Sequence, residues 1–450
     1  MKRISFRMLM LLILIGALTL GVFGFVISYF FRAGDWVVFS GSPHVYTGAN
    51  LSTGIIRDRH GDLLLDSTDG RVYSGDADLR KATMHLVGDR FGYISAPVLG
   101  EYAEELVGFD PVNGIYSVTG NPTEAKLTVS GEVQKIALEA LQGRKGTIGV
   151  YNYKTGEILC AVTSPTYDPD HMPAVEHDVT GVYEGVYLNR FFQTAYVPGS
   201  IFKCLTAQAA LENIPDIETR LFTCEGSWNV EGDTITCHGK HGQLTMAQGL
   251  AHSCNVVFGQ LAVELGPEIM EQYAASIGVE TAMHFDGIQT VSGHFDLTGA
   301  VNSELAWSGI GQYTNLVNPC QYMVYMGAIA NGGRAAIPYL MAEAGNYRAE
   351  TDRTGYLIRP ETAEKLAEMM HDNVVRMYGA EKFPDLKVCA KSGTAEVGPG
   401  TTPHATFSGF IQDDAYPLAF IVIVEHGGSG SATCAPIAGT VLKACVKAMS

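Results

Sequence analysis

The sequence is short of positive charge. Its 450 residues carry 30 Lys and Arg against 47 Asp and Glu, which gives a formal net charge of −17. So acidic a chain repels phosphate backbones, and a nucleic-acid partner is therefore disfavoured. The sequence also lacks internal repeats and low-complexity tracts, which argues against a repeat array. It contains no Gly-x-Ser-x-Gly run, which disfavours a cytosolic serine hydrolase.

Cysteine is present in an odd number, nine, so at least one thiol has no partner within the chain. Cys224 and Cys237 flank a loop that could close as a disulfide in an exported protein, and the sequence leaves this open. His238 and His241 lie close by and suggest a metal site as the alternative. Two ligand types in one loop are weak support for it, so we predict neither metal nor cofactor. Four other cysteines lie in apolar surroundings and are expected to pack as small hydrophobic side chains: Cys160, Cys254, Cys389 and Cys445.

The N-terminus carries a long uncharged apolar run, residues 8–31, which is long enough to cross a bilayer as a helix. Basic residues in the tail 1–7 predict a cytoplasmic N-terminus and place the chain after Arg32 outside. A cleaved signal peptide is the alternative, but the run is too long and no small-residue cleavage site follows it. We therefore predict a single-pass membrane anchor.

The remaining chain, with 46% hydrophobic residues overall, is long enough for two further units. Residues 32–123 are rich in Gly, Asp and Tyr and predict a small β-rich stalk. Within it, residues 54–65 form two strand patterns around a turn at His60-Gly61. Residues 124–450 form the second unit, which we expect to open with a helix over Leu127–Leu141.

Further elements of the second unit follow from apolar periodicity and turn residues. Helices are expected at 244–265 with a break at 251–255, at 319–330, at 361–378 and from Pro436 to Met449. Strands are expected at 386–394, 405–411 and 419–424. A hairpin over 146–162 turns at Lys154-Thr155-Gly156, where the glycine is a turn residue.

A Pro-Gly turn at 198–199 leads into a helical pattern that begins with Ser200 and Lys203. Residues three apart share a helical face, so hydroxyl and amine lie within reach of each other. A neutral Lys203 could then accept the proton of the serine. The helix N-terminus would disfavour the protonated lysine and favour an oxyanion. Taken alone, the pattern also fits an N-cap serine followed by a surface lysine.

Two later stretches carry polar groups that could join this pair. Ser253 and Asn255 lie two apart in the helix break, where both can point into one cleft, although an ordinary polar break has the same residues. In the strand run Lys391-Ser392-Gly393-Thr394, the glycine leaves space for a substrate backbone that Lys391 and Thr394 would face. An exposed edge strand with hydroxyls is the alternative.

Together, Ser200-x-x-Lys203, Ser253-x-Asn255 and Lys391-Ser-Gly-Thr394 resemble the acyl-serine transferases, which comprise penicillin-binding proteins and serine β-lactamases. The surrounding runs resemble class B penicillin-binding proteins over most of residues 54–450. These runs are Arg57-Asp-Arg-His-Gly, Tyr153-Lys-Thr-Gly-Glu-Ile-Leu, Tyr167-Asp-Pro, Pro198-Gly-Ser-Ile-Phe-Lys, Ser253-Cys-Asn and Gly311-Gln312.

The resemblance implies an α/β (α+β) transpeptidase fold with an antiparallel sheet flanked by helices. It implies an enzyme that cross-links peptidoglycan stem peptides through a serine acyl-enzyme and that penicillin acylates. Ser200 would attack the penultimate D-alanine carbonyl, and Lys203 would accept its proton. Ser253 would relay a proton towards the leaving group, while Asn255 would hold the substrate amide.

On the strand, the same resemblance makes Lys391 the residue that attracts the terminal carboxylate and helps to depress the pKa of the catalytic lysine. The Ser392 and Thr394 hydroxyls would bind that carboxylate beside Gly393. Backbone N–H groups of Ser200 and Thr394 would form the oxyanion hole. Thr-Pro, which commonly follows a Gly-Gln-Gly-like run in the family, is replaced here by other residues, so no role for Gln312 is predicted.

The sequence leaves no room for a glycan-polymerising domain, so the resemblance implies a polytopic glycan polymerase of the SEDS type as partner. It does not distinguish elongation, division and sporulation. A β-lactam hydrolase or sensor with the same fold is one alternative, but no glutamate motif that would activate a deacylating water is evident. A non-enzymatic cell-wall scaffold is the other, and the filled reactive positions argue against it.

Overall fold

The computed structural model describes residues 2–38, 46–47, 50–51, 54–68, 70–94, 96–109, 112, 123–342 and 352–449. Among them, one helix is long and apolar enough to cross a membrane, with a span of Ile4–Gly34 and a mean hydropathy of 2.7. This helix contains the apolar run 8–31 and is compatible with a single-pass anchor. Its side chains are largely exposed, since little of the protein packs around it.

The helices of the described chain are α1 Lys2–Val37, α2 Ala77–Val87, α3 Pro97–Glu101, α4 Ala103–Val107, α5 Gly131–Leu141, α6 Lys203–Asn213, α7 Met246–Ala251, α8 Asn255–Leu265, α9 Pro267–Ser276, α10 Asn302–Gly309, α11 Pro319–Ala330, α12 Pro360–Asn373 and α13 Gly430–Met449.

The strands are β1 Tyr46–Thr47, β2 Asn50–Leu51, β3 Ile55–Arg57, β4 Leu63–Asp66, β5 Val72–Tyr73, β6 Glu124–Leu127, β7 Gly146–Asn152, β8 Ile158–Ser164, β9 Phe222–Cys224, β10 Ser227–Val230, β11 Asp233–Thr236, β12 Gly242–Leu244, β13 His284–Phe285, β14 Ile288–Gln289, β15 Met341–Ala342, β16 Val388–Ala395, β17 His404–Ile411 and β18 Leu418–Val424.

A five-stranded sheet with the order β16-β17-β18-β7-β8 organises the second unit, and every neighbouring pair in it is antiparallel. Helices α5 and α13 pack on one side, and α11 covers the other. Strands β7, β8 and β18 are buried along their whole length, because both faces of the sheet are covered. The predicted antiparallel sheet flanked by helices is confirmed.

A second sheet, β15-β6-β3-β4-β5, links the membrane-proximal segment to the second unit through a parallel pairing of β3 with β6. Asp58 reinforces this link: its carboxylate accepts hydrogen bonds from the backbone N–H groups of His60 and Asp62, and at 2.8 Å from that of Gly131 at the start of α5. The predicted hairpin over 54–65 is confirmed by β3 and β4. The boundary at 123/124 therefore falls within one sheet.

The description of residues 32–123 as β-rich is wrong for residues 77–107, where the structure has the helices α2, α3 and α4. Helix α2 begins at the N-cap Asp76, whose carboxylate accepts hydrogen bonds from the N–H groups of Asp78 and Leu79. Its buried face packs against α5 of the second unit as well as against α3 and β4. Long-range packing of this kind leaves no signature in local composition.

Two predicted helix starts are also wrong. Leu127 ends strand β6, and α5 begins only at Gly131, because the Ser130 hydroxyl caps it by accepting from the N–H of Val133. Helix α13 begins at Gly430 rather than Pro436, and the Ser429 hydroxyl accepts from the N–H of Ala432 in its first turn. In both cases a serine cap, and not the first apolar residue, sets the boundary.

Candidate active site

The turn that carries Ser200 is a 3₁₀ turn, Gly199–Phe202, which runs directly into α6. Gly199 has a φ of +56°, and a Cβ there would lie 2.7 Å from the carbonyl oxygen of Thr394 on β16. Only glycine permits both this backbone conformation and this approach to the strand. The turn therefore places Ser200 against the edge of the central sheet, where it is 8% exposed.

Lys203 lies one turn further on, completely buried, with its Nζ 3.0 Å from Ser200 Oγ. The same nitrogen lies 2.7 Å from Asn255 Oδ1 and 2.7 Å from the carbonyl oxygen of Ser253. These contacts hold the amine at the nucleophile with hydrogen-bonding geometry. The predicted juxtaposition of hydroxyl and amine is thus present in the structure.

Burial lowers the pKa of Lys203 well below its ordinary value, because the ammonium form loses its hydration. The positive charge of Lys391 lowers the pKa further. Both causes favour the neutral amine, which has a lone pair free to accept the Ser200 proton. The site therefore has the electrostatics that a serine–lysine pair requires.

Ser253 lies in the break between α7 and α8 with a φ of +53°, a conformation uncommon for a residue other than glycine. Its Oγ lies 3.3 Å from Lys203 Nζ and 3.0 Å from Lys391 Nζ. A continuous hydrogen-bonded chain thus connects Ser200, Lys203, Ser253 and Lys391. The strained backbone is found where this chain crosses from the helical layer to the sheet.

Asn255 follows at the first position of α8, and both the oxygen and the nitrogen of its side-chain amide form hydrogen bonds. Its Oδ1 faces Lys203, as described above, and its Nδ2 donates a 2.8 Å hydrogen bond to the carbonyl oxygen of Thr236. The side chain therefore orients the lysine in this structure. The predicted contact with a substrate amide could use the second N–H of Nδ2 or the second lone pair of Oδ1.

The motif on β16 alternates between two faces of the strand. Lys391 is completely buried and also donates to the carbonyl oxygen of Ser392 at 2.7 Å, whereas Ser392 and Thr394 are half-buried and line the cleft. The expectation for Gly393 is wrong: a Cβ there would overlap the Thr406 hydroxyl and lie 2.9 Å from the carbonyl oxygen of Pro198. The glycine makes room for the nucleophile turn, not for a substrate backbone.

Two cavities open from this site, with volumes of about 380 Å³ and about 220 Å³. Both are lined by Ser200, His238 and Thr394, so the nucleophile lies where they meet. The larger also includes Ser253, Tyr378 and Ser392. The smaller includes Asn255, Trp307, Gln312 and Glu396.

Sequence reasoning missed several residues of these walls. His238 was considered only as a metal ligand, and Tyr378, whose hydroxyl accepts from the N–H of Ser392, only as a helix end. Gln312 received no role but lines the smaller cavity. None of them has a local spacing signal, because each reaches the cleft through tertiary packing.

The prediction for Lys154 is confirmed: it is part of the turn between β7 and β8, where it pairs with Asp414.

This chain is similar in sequence to several known proteins. Peptidoglycan D,D-transpeptidase PbpA of Mycobacterium tuberculosis is 28% identical in an alignment 383 positions long, which covers 77% of this chain and 75% of that protein. Stage V sporulation protein D of Bacillus subtilis is 28% identical in an alignment 360 positions long, which covers 73% of this chain and 54% of that protein.

Solved structures have the same fold. The crystal structure of PBPA from Mycobacterium tuberculosis has a TM-score of 0.75 at 24% identity and covers 88% of this chain and 99% of its own. The D,D-transpeptidase domain of a peptidoglycan glycosyltransferase from Eggerthella lenta has a TM-score of 0.74 at 25% identity, with coverages of 88% and 98%.

A comparison with protein families matches residues 146–443 to the penicillin binding protein transpeptidase domain. That range is more than half of the chain and includes all three motifs with the sheet and helices that position them. The chain therefore belongs to the penicillin-binding protein transpeptidase family, as its class B resemblance implied.

Proposed function

We propose that this protein is a peptidoglycan D,D-transpeptidase, which cross-links stem peptides through an acyl-enzyme on Ser200 and is acylated by penicillin. One observation carries the proposal: the fully buried amine of Lys203 lies 3.0 Å from Ser200 Oγ. Burying a charged lysine costs free energy, so burial favours the neutral amine of Lys203. That amine can act as a base beside Ser200. The names of the relatives support the same assignment.

In the acylation step, Ser200 Oγ attacks the carbonyl carbon of the penultimate D-alanine and its proton passes to Lys203. The oxyanion of the tetrahedral intermediate would accept hydrogen bonds from the backbone N–H groups of Ser200 and Thr394. When the C–N bond breaks, the proton returns through Lys203 and Ser253 to the amine of the departing D-alanine. Ser253 suits this relay, since its Oγ lies 3.3 Å from Lys203 Nζ.

In the second step, an amine of a neighbouring strand attacks the ester, and Lys203 takes up the proton that this amine loses. Collapse of the intermediate returns that proton to Ser200 and forms the new amide. The reaction needs no nucleotide, because the energy of the D-Ala-D-Ala amide is retained in the ester. Two cavities that meet at Ser200 would allow acyl donor and acceptor amine to approach from different sides.

Turnover of a pentapeptide that ends in D-Ala-D-Ala tests the proposal directly. We expect the full-length protein in detergent to release D-alanine and to form an adduct with an added amine, because the ester must be transferred to regenerate Ser200. Free D-alanine and the coupled peptide are measured by mass spectrometry. Neither product, with protein that still binds penicillin covalently, would contradict a transpeptidase.

Lys391→Ala should weaken recognition of a carboxylate-bearing donor by about 10- to 100-fold, since a hydrogen bond to a charged group contributes about 1.5–3 kcal/mol. For the matched donor with a terminal carboxamide, kcat/KM should fall much less. The measurement is kcat/KM for both donors, with Lys154→Ala as the control lysine variant. Equal losses for acid and carboxamide would assign Lys391 to the proton chain alone.

The location and partner are part of the same proposal. The apolar helix α1 would anchor the protein with the N-terminus in the cytoplasm and the catalytic unit outside, near nascent wall. The matched family domain is a transpeptidase, so glycan polymerisation would fall to a partner. A polytopic polymerase of the SEDS type is the partner that the class B resemblance implies.

A further inference from the structure

A second cluster of reactive groups lies beside the catalytic chain and takes no part in it. Cys224, Cys237, His241 and Cys254 bring one ligand atom each to a common point, and these four atoms all lie within 4.8 Å of one another. Cys237 Sγ is 3.8 Å from Cys254 Sγ and 3.6 Å from His241 Nδ1. Cys224 and Cys254 are buried, and the other two are half-buried.

The fold assembles this cluster from residues far apart in the chain. Strand β9 ends at Cys224 and pairs with β12, which places His241 beside it, with its backbone N–H 3.1 Å from the Cys224 carbonyl oxygen. The inner hairpin β10–β11 lies between them and leads directly into Cys237. Cys254 arrives separately, as the residue before α8. Three independent segments thus converge on one point.

The predicted alternative, a Cys224–Cys237 disulfide, is not formed: both thiols are free. A disulfide would involve two of the three sulfurs and would not account for the convergence of the third thiol and the imidazole. A tetrahedrally coordinated metal ion would bind all four groups. Zinc–sulfur bonds of about 2.3 Å place sulfurs about 3.8 Å apart at the corners of a tetrahedron. The Cys237–Cys254 distance of 3.8 Å matches that spacing. His238, the neighbouring histidine, is not part of the cluster.

We propose that Cys224, Cys237, His241 and Cys254 form a structural Zn²⁺ site. Three thiolates and one imidazole are a ligand set typical of closed zinc sites, and no open position remains for catalysis. Binding displaces the thiol protons to solvent, and no electron transfer is needed. In an exported protein, the bound ion would also keep these thiols from oxidation to mixed disulfides.

The site is mechanically connected to the catalytic chain through Asn255. The N–H of Asn255 donates to Cys237 Sγ at 3.3 Å, and its side-chain amide donates to Thr236, the residue before that cysteine. Its Oδ1 in turn lies 2.7 Å from Lys203 Nζ. The ion would therefore act as a positioning element for the catalytic lysine, and this second part rests on the proposed function.

Metal content tests the site without reference to activity. Full-length protein purified in detergent under reducing conditions should contain one zinc per chain, and the stripped protein should bind Co²⁺ with a thiolate-to-cobalt charge-transfer band. Cys237→Ser and His241→Ala should lose the zinc, while His284→Ala, an exposed histidine outside the cluster, should retain it. Stripped wild-type protein that binds neither metal, or variants with undiminished zinc, would overturn the site.

The link to catalysis is tested by penicillin acylation of stripped and zinc-restored protein. A misplacement of about 1 Å can cost on the order of 10²-fold in rate, so stripping should slow wild-type acylation by up to that factor and zinc should restore it. In the Asn255→Ala variant, which lacks the side chain that connects the site to Lys203, removal of zinc should slow acylation little further. An undiminished rate in stripped wild-type protein would refute the positioning role and leave both the zinc site and the transpeptidase assignment intact.

Discussion

Ser200→Ala is expected to abolish covalent labelling by penicillin while the protein remains folded. A methyl group cannot attack the β-lactam carbonyl, and the Ser253 hydroxyl in the same cleft lies farther from Lys203 Nζ, at 3.3 Å against 3.0 Å for Ser200. The measurement is in-gel fluorescence after incubation with a fluorescent penicillin, with thermal unfolding as the test of folding.

The matched control for this variant is Ser276→Ala, which removes a hydroxyl that donates to the carbonyl oxygen of Tyr273 at the end of α9. It should be labelled like the wild type. Covalent label on folded Ser200→Ala protein would show that another residue is the nucleophile, and it would overturn the mechanism described above.

Lys203→Ala should slow acylation by about 10²- to 10⁴-fold, the range that positioned proton transfer contributes. Ser200 would remain in place, since the turn at Gly199 and not the lysine sets its backbone. Stopped-flow or quenched labelling measures the rate constant. Lys154→Ala, a turn lysine paired with Asp414, is the control and should acylate at the wild-type rate.

The pH dependence distinguishes a base from a merely structural lysine. Since the neutral amine is the active form, the wild-type acylation rate should rise with pH through the pKa of Lys203, which burial and Lys391 hold below the ordinary lysine value of 10.5. The variant should lack this rise. A rate that falls with increasing pH over that window would contradict Lys203 as the proton acceptor.

Stability should change with pH in the same direction as the acylation rate, so that it increases as pH rises. The lowered pKa means that the folded state binds fewer protons than the unfolded state between the two pKa values, so wild-type stability decreases as pH falls from the ordinary lysine value. Lys203→Met removes this term and should be more stable than wild type at neutral pH. Chemical denaturation at several pH values measures the difference, which should shrink as pH approaches 10.5.

The parts of the site that follow local rules were predictable from the sequence. Three-residue spacing in a helix places Ser200 and Lys203 together, and the polar interruption of an apolar pattern marks Ser253 and Asn255. The turn at Lys154 was distinguishable from the motif at Lys391 because two strand patterns flank it. In each case the sequence signal that supports the prediction lies within a few residues.

What could not be predicted depends on long-range packing. The parallel pairing of β3 with β6 joins residues almost seventy positions apart, so a separate stalk was expected where the structure has one continuous sheet. Gly393 was assigned to the substrate side because strand alternation alone does not tell which face meets the nucleophile turn. Cys254 was expected to pack as a small apolar residue, and only the nested hairpins reveal its three neighbours.

Ser200 is expected to form a stable acyl-enzyme with penicillin. Incubation of the full-length protein with a fluorescent penicillin, a time course of label retention and mass mapping of the labelled peptide test it most directly. We expect one modified residue, Ser200, and label that persists over hours, since the sequence shows no evident glutamate motif that would activate a water. Rapid loss of label would contradict a transpeptidase and favour a hydrolase, with Glu396 in the smaller cavity as the carboxylate to examine. The absence of any label would favour the non-enzymatic cell-wall scaffold.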